Sequence, residues 1–250
     1  LEIDAVQVVR ARVIREDQLP GPVTTKTFFT GRKPGLTRVS VSTTPDNLWD
    51  YNTGIYVMGP NASGNNPHFG ANFWMDWEKP VNVEIYGADG TQWLNQVAGM
   101  KIFGAWSRAA AQKSLSFFAR SVYGDGSFSY PLFEKKDIRK YESFILRNGG
   151  NDFNGSFIRD AVSAYLGDKL NVDHQGYNPA VLYLNGEYYG IMNMREKVNE
   201  HFIAGNNQVA PDIVNILEAT GGVVDGSNAS YLELMNFLRT KDIRNQENYE

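Results

Sequence analysis

Alternation of apolar and polar side chains predicts strands along much of the first half of the chain. Residues 6–14 and 24–30 alternate in this way on either side of a Pro-Gly-Pro turn, which predicts a hairpin. The same alternation predicts five further strands, at residues 37–43, 54–58, 81–86, 99–103 and 113–120. Residues 59–67 are rich in Gly, Pro and Asn, so we expect a polar loop there.

Helical periodicity begins later. Four apolar side chains share one face of a predicted helix over residues 157–166, namely Phe157, Ala161, Ala164 and Tyr165. Ser156 stands where an N-cap would, and Gly167 marks the end of the helix.

The carboxyl-terminal third contains both the alternation typical of strands and the periodicity typical of helices. Residues 181–194 predict two strands joined by Asn185-Gly186, a dipeptide that favours the type I′ turn. Beyond them, the pattern predicts a polar helix ending at Ala204, a buried strand over residues 212–218, and a helix over residues 230–239 capped by Ser230.

Composition and charge exclude several classes of protein. The 250 residues carry a net charge of −4, so no basic surface for nucleic acid is expected. No apolar run approaches the roughly 20 residues of a membrane-spanning helix. The absence of cysteine excludes disulfides and thiolate metal sites, and the three histidines are too scattered to indicate a zinc site. The aromatic content of 13% favours strands over a helical bundle.

A glycine- and proline-containing segment at residues 31–35 resembles a linker. We therefore expect residues 1–30 to be the terminal hairpin of a preceding module and residues 36–250 to form the main domain. The start at Leu1, without a leader pattern, indicates a trimmed amino terminus.

The loop over residues 104–113 is the first candidate for chemistry. Small residues surround Ser107 and Arg108, and Lys113 opens the next predicted strand. Small side chains let backbone amides approach an anion, and cations bind phosphate oxygens. An ordinary hairpin loop with two solvated cations explains the same residues, and the Walker pattern is absent. Both interpretations stay open at this point.

Other charged residues allow similar alternatives. Arg147 and Asp152 form either a structural ion pair or a ligand pair, while Glu196 and Lys197 suit the solvated start of a helix. A run of short motifs accompanies them: Ser107-Arg108, Gln112-Lys113-Ser114, Leu146-Arg147-Asn148, Asn151-Asp152, Arg159-Asp160, the segment over residues 183–190, and Met194-Arg195-Glu196.

These motifs, in this order, resemble the CotH kinase-like family, the atypical kinases of the spore-coat-protein-H type. The resemblance covers about residues 39–219. The opening hairpin resembles the tail of a chitobiase C-terminal-type β-sandwich module, a kind that often precedes such domains in secreted proteins. The implied fold is α+β and strand-rich: a kinase-like N-lobe, with an antiparallel sheet and an αC-like helix, plus the start of a helical lobe.

The resemblance also implies a nucleotide site. Ser107 and Arg108 would face the phosphates, and Lys113 would be the nucleotide lysine. Asp160, on the αC-like helix, would hold that lysine in place. Residues 191–196 would form the adenine hinge, and the nucleotide-binding residues assigned within it are Met192, Met194 and Glu196.

The implied activity is phosphate transfer from ATP to a protein hydroxyl, with Mg²⁺ as cofactor. The protein would be bacterial and exported, either extracellular or part of the cell envelope. The family's metal-binding and catalytic carboxylates are expected beyond Glu250, so this chain is expected to be the N-terminal, nucleotide-proximal part of the kinase. No catalytic or metal-binding residue is assigned within it, and its own enzymatic activity stays open.

Two other classes of function remain as alternatives. A non-catalytic exported surface or assembly module would bind glycan or protein through an aromatic platform, formed by Trp49, Tyr51, Trp74, Trp77 and Tyr86. The same rings would otherwise fill the core of a sheet. Glycoside hydrolysis needs two facing carboxylates, for which the candidates are Glu84, Asp89, Glu134 and Asp152.

Overall fold

The computed structural model describes residues 6–31, 35–170 and 172–249. The chain divides into two compact units, Leu1–Lys197 and Val198–Glu250. The strands of the first unit are β1 (Gln7–Ala11), β2 (Thr24–Phe28), β3 (Thr37–Ser42), β4 (Lys79–Tyr86), β5 (Gln92–Phe103), β6 (Ser114–Phe118), β7 (Ser143–Arg147), β8 (Tyr177–Leu184) and β9 (Glu187–Glu196). Its helices are α1 (Pro45–Trp49) and α2 (Arg159–Lys169).

Seven of the described strands close into a barrel in the order β3-β4-β5-β6-β7-β9-β8. Neighbours pair antiparallel, except that β8 returns beside β3 and pairs with it in parallel. This parallel pair joins the two ends of the sheet. Closure satisfies the backbone hydrogen-bonding groups that an open sheet would leave at its edges.

The predicted fold class, a kinase-like N-lobe with an antiparallel sheet and an αC-like helix plus the start of a helical lobe, is therefore wrong. The sheet is a closed barrel with one parallel pair rather than an open antiparallel sheet. Sequence periodicity identified most strands but not their partners. It also missed β7, which supplies one wall of the barrel between β6 and β9.

Alternate side chains along the barrel strands form one apolar core. The core includes Val39, Val41, Val83, Ile85, Met100, Leu115, Phe117, Phe144, Leu146, Leu182, Met192 and Met194. Because successive side chains of a strand point to opposite faces, the intervening residues lie on the outer wall. The barrel interior is thus filled by side chains rather than open to a ligand.

The hairpin predicted at the start of the chain is confirmed as β1 and β2. It packs on the outside of the barrel, where the Thr27 amide donates to the Glu84 carboxylate at 3.1 Å and the Asn95 amide donates to the Thr25 carbonyl at 2.9 Å. Its origin in a preceding module stays a prediction, and most of the predicted linker lies outside the described residues.

The strand predicted over residues 54–58 is wrong. Ile55 and Tyr56 are buried, but their amides donate to the Asn47 and Leu48 carbonyls within a folded excursion between β3 and β4. Burial, not pairing, explains the apolar run here.

The second unit contains α3 (Glu200–Asn207), β10 (Ile216–Leu217), β11 (Val223–Asp225), α4 (Ala229–Thr240) and α5 (Gln246–Tyr249). The helix predicted over residues 230–239 is confirmed as α4, although Asn228 rather than Ser230 is its N-cap. The buried strand predicted over residues 212–218 shrinks to two half-buried residues paired with β11. No helix in the described ranges combines the length and apolar character needed to cross a membrane.

Candidate functional site

The loop between β5 and β6 carries the predicted phosphate-facing residues in a short 3-10 turn, Trp106–Ala109. Arg108 Nε donates to the Gly104 carbonyl at 2.6 Å, and its Nη1 donates to the Phe73 carbonyl at 3.2 Å. Gly104 has a φ of 111°, and a Cβ there would overlap the Ser107 hydroxyl. Glycine is therefore needed for this tight turn, which holds Ser107 and Arg108 close to the start of β6.

Lys113 is buried at the end of this loop, with 5% of its surface exposed. Its Nζ donates to the Arg108 carbonyl at 2.6 Å and to the Ala110 carbonyl at 3.1 Å. The same nitrogen lies 3.9 Å from the centre of the Phe73 ring, a favourable cation–π distance. Burial disfavours the charged form and lowers the pKa of Lys113 to about 8.

Strand β9 is tied to this loop by side chains. Gln112 Nε2 donates to the Ile191 carbonyl at 3.1 Å, and the Lys113 amide donates to the Tyr189 hydroxyl at 2.7 Å. Gly190 allows the crossing, because a Cβ at that position would overlap the Gln112 amide. The loop and the beginning of the predicted hinge are thus brought together.

The three predicted hinge residues face the barrel interior. Met192 and Met194 are fully buried in the apolar core. Two residues further along the same face, Glu196 accepts the Gly176 amide at 2.6 Å and lies 3.7 Å from the Lys136 ammonium. Glu196 is therefore occupied in a contact separate from Lys113.

Asp160 lies in the first turn of α2 and pairs with Arg147 of β7, not with Lys113. The beginning of α2 is held by Asp152, which accepts the Ser156 amide at 3.1 Å and the Arg159 amide at 3.0 Å. The hydrogen bond from the Arg159 amide is the largest cause that lowers the pKa of Asp152. The N-cap predicted at Ser156 is wrong, because Ile158 occupies that position.

Among the seven predicted nucleotide-binding residues, the structure groups Ser107, Arg108 and Lys113 with the backbone next to Met192. Asp160 and Glu196 have partners elsewhere. The Arg108 and Ala110 carbonyls take two of the three N–H groups of the Lys113 ammonium, and the nitrogen is buried over the Phe73 ring, so the arrangement is enclosed as it stands. The nucleotide-binding role of these residues stays a prediction.

Arg195 lies in one of the family-like motifs and within the predicted hinge, but the sequence assigned it no role of its own. It is 3% exposed, and its Nε and Nη1 atoms have no hydrogen-bond partner among the described residues. Burial is the main cause that lowers the pKa of Arg195. Alternation along β9 places Arg195 on the face of the strand opposite to Met194. The sequence does not show that it is buried there, because the elements that cover it are distant along the chain.

The aromatic residues proposed as a glycan platform lie in different environments. Tyr86 is buried beside Glu84, and Trp74 packs against the core, while Trp49 and Tyr51 are exposed. The five aromatic residues therefore do not share one exposed platform. Across the described residues, no group of three or more His, Asp or Glu side chains is arranged to hold a metal ion.

Comparison with known proteins confirms the family that the motifs predicted. The family model described as CotH kinase protein matches residues 100–249, well over half of the chain. A search of curated proteins gave no match. The matched range includes every predicted nucleotide-binding residue and Arg195. The chain belongs to the CotH kinase protein family.

Proposed function

We propose that this chain is the nucleotide-proximal part of a CotH-type protein kinase, which transfers phosphate from ATP to a protein hydroxyl. One observation carries the proposal: the match to the CotH kinase family spans all the predicted nucleotide-binding residues, from Ser107 to Glu196. In the parent protein Mg²⁺ would be the cofactor, and the protein would act outside the cytoplasm or in the cell envelope.

In this proposal the loop over residues 104–113 contacts the phosphates. Lys113 supports that role because its ammonium sits in a desolvated position, where its attraction to an anion is stronger than in water. Arg108 supplies a second cation one short turn away. ATP binding would require the loop to open far enough for a phosphate oxygen to reach the buried ammonium of Lys113.

The test is an ATP titration of the complete parent protein by calorimetry, comparing wild type with Lys113→Met. We expect a loss of ATP affinity of about tenfold or more, since a phosphate-contacting charge is removed. Lys101→Met is the matched control, because Lys101 is on the neighbouring strand β5 and its ammonium pairs with Asp76 at 3.0 Å. Equal ATP affinity in all three proteins would remove Lys113 from the site.

A second candidate function, glycan binding by a non-catalytic exported module, is favoured by one surface. Residues 51–75 contain no Asp, Glu, Lys or Arg, and they present Phe69 beside Trp74 and Trp106. Phe69 and Trp106 are 53% and 67% exposed. Uncharged amides next to exposed aromatic rings suit a neutral saccharide.

Screening the protein against a glycan array tests this candidate. Trp106→Ala should abolish any binding without unfolding the protein, because the ring is mostly exposed. Trp77→Ala serves as the control for loss of an aromatic side chain. Binding that survives Trp106→Ala would exclude this surface.

A further inference from the structure

Two arginines stand side by side on the outer wall of the barrel. Arg147 of β7 pairs with Asn193 of β9, and Ile145 pairs with Arg195. Arg147 and Arg195 are therefore diagonal neighbours on the same face of two adjacent strands, within reach of each other's side chains. Helix α2 begins next to them, since its Asp160 pairs with Arg147.

Arg195 has unused hydrogen-bonding capacity in a buried position. Its Nε and Nη1 atoms have no partner among the described residues. A buried hydrogen-bond donor without a partner lowers the stability of the fold, and a charged donor lowers it more. Such an atom therefore indicates a ligand that is bound at this position when the protein functions. Arg38 offers a contrast: its Nε also has no hydrogen-bond partner, but its guanidinium stacks 4.3 Å from the centre of the Phe29 ring.

The charges around Arg195 leave the pair of arginines with excess positive charge. Asp160 acts on Arg195 attractively and Arg147 repulsively, and Glu196 adds a weaker attraction. Glu196 faces the interior and binds Gly176 and Lys136, so Asp160 is the main carboxylate near the two guanidinium groups. It pairs directly with Arg147, and it acts on Arg195 only as a nearby charge. The Asp152 carboxylate is occupied at the start of α2.

We propose that Arg147 and Arg195 form a binding site for a phosphoryl oxyanion, which Asp160 occupies with its carboxylate when the oxyanion is absent. Guanidinium groups bind phosphate through paired N–H donors, and Arg195 retains such donors. Asp160 is about half exposed and sits in the first turn of a helix, so its side chain is able to rotate into solvent. The oxyanion then takes its place between the arginines.

Titration of inorganic phosphate into the full chain at low salt, followed by calorimetry, tests the site. Asp160→Asn should bind phosphate about tenfold more tightly than wild type, because a competing negative charge is removed. Arg195→Gln and Arg147→Gln should each bind it at least about tenfold more weakly. Arg159→Gln is the matched control: it is on the same turn of α2, is mostly exposed, and should change affinity less than about twofold.

Unchanged or weaker phosphate binding in Asp160→Asn would overturn the proposal, as would wild-type affinity in Arg195→Gln. If Arg195→Gln does not fold, Asp160→Asn and Arg147→Gln decide the matter. Parallel titrations of wild type and Arg195→Gln with ATP and with a phosphoserine peptide identify the source of the oxyanion. The source is the ligand that binds Arg195→Gln more weakly than wild type. Phosphate binding with this dependence supports the site even if Lys113→Met leaves ATP affinity unchanged, so the two proposals fail separately.

Discussion

Lys113 illustrates how far a single residue can be interpreted from sequence. Its position between a loop of small residues and a predicted strand indicated either a solvated cation or a phosphate ligand. The structure shows a third state, with the ammonium held by the Arg108 and Ala110 carbonyls over the Phe73 ring. Phe73 comes from the excursion between β3 and β4, so no local pattern around Lys113 reveals the contact.

Burial of Lys113 makes stability depend on pH. Its folded-state pKa of about 8 lies below the ordinary lysine value, so between pH 8 and pH 10.5 the unfolded chain binds more protons than the folded one. The free energy of unfolding should therefore rise over this interval, relative to Lys113→Met, by about 1 to 2 kcal/mol after allowance for solvent screening.

Urea denaturation of both proteins at pH 7.5, 9 and 10.5 measures this difference. A wild-type curve that runs parallel to that of Lys113→Met across the whole range would show that the ammonium is solvated in the folded protein. Lys101→Met, with its exposed partner Asp76, controls for general effects of alkaline pH.

The sequence predicts well those elements whose hydrogen bonds join residues close together along the chain. The hairpin around Asn185-Gly186 has φ values of 52° and 88° at the two turn residues, as the type I′ turn requires. Helix α2 was predicted close to its position, but its start was not. Asp152, four residues before the predicted Ser156 cap, reaches forward to the Ser156 and Arg159 amides.

Gly186→Ala should destabilise the protein by about 1 kcal/mol, because φ at this position lies in the left-handed region that favours glycine. The space around Gly186 holds only ordinary van der Waals neighbours, so backbone strain is the expected cause. Gly64→Ala is the matched control, since no atom lies within 4 Å of the added Cβ. Equal midpoints of thermal unfolding for the two variants would contradict a type I′ turn.

Asp152→Ala should loosen the start of α2. The substitution removes acceptors of the Ser156 hydroxyl and of two backbone amides, so the Arg159 amide loses its side-chain partner. Hydrogen exchange resolved by residue should then be faster in the first turn of α2 and unchanged in the turn that contains Lys169. Ser156→Ala, which leaves the hydrogen bond from the Arg159 amide to the Asp152 carboxylate, should have a smaller effect.

The whole molecule is where sequence-based interpretation failed. Strands β4 to β6 pair with neighbours along the chain, so their antiparallel order follows from local pattern. The pairing of β3 with β8 does not, because Thr37 and Ala180 are partners across most of the first unit. An open sheet and a closed barrel have the same alternation of side chains, and only this contact distinguishes them. The family was nevertheless predicted correctly, because its motifs can be identified along the sequence without knowing which strands pair.

Closure of the barrel is directly measurable by native-state hydrogen exchange. Amides of β3 should exchange as slowly as those of β5, because both strands have hydrogen-bonded neighbours on either side. Fast exchange along every second amide of β3 would indicate an open edge and contradict the barrel. Among the described residues β1 pairs only with β2, so its amides provide an internal reference for an edge strand.

The parallel contact between β3 and β8 also constrains how the protein is made. A chain leaving the ribosome presents β3 to β7 long before residue 184 emerges, and until then β3 has no partner on one side. Pairing of strands so distant along the chain is slow, since the entropy of closing a long loop must be overcome first. Because β9 joins β7 to β8, the nascent sheet stays open to proteases and chaperones until both β8 and β9 have emerged.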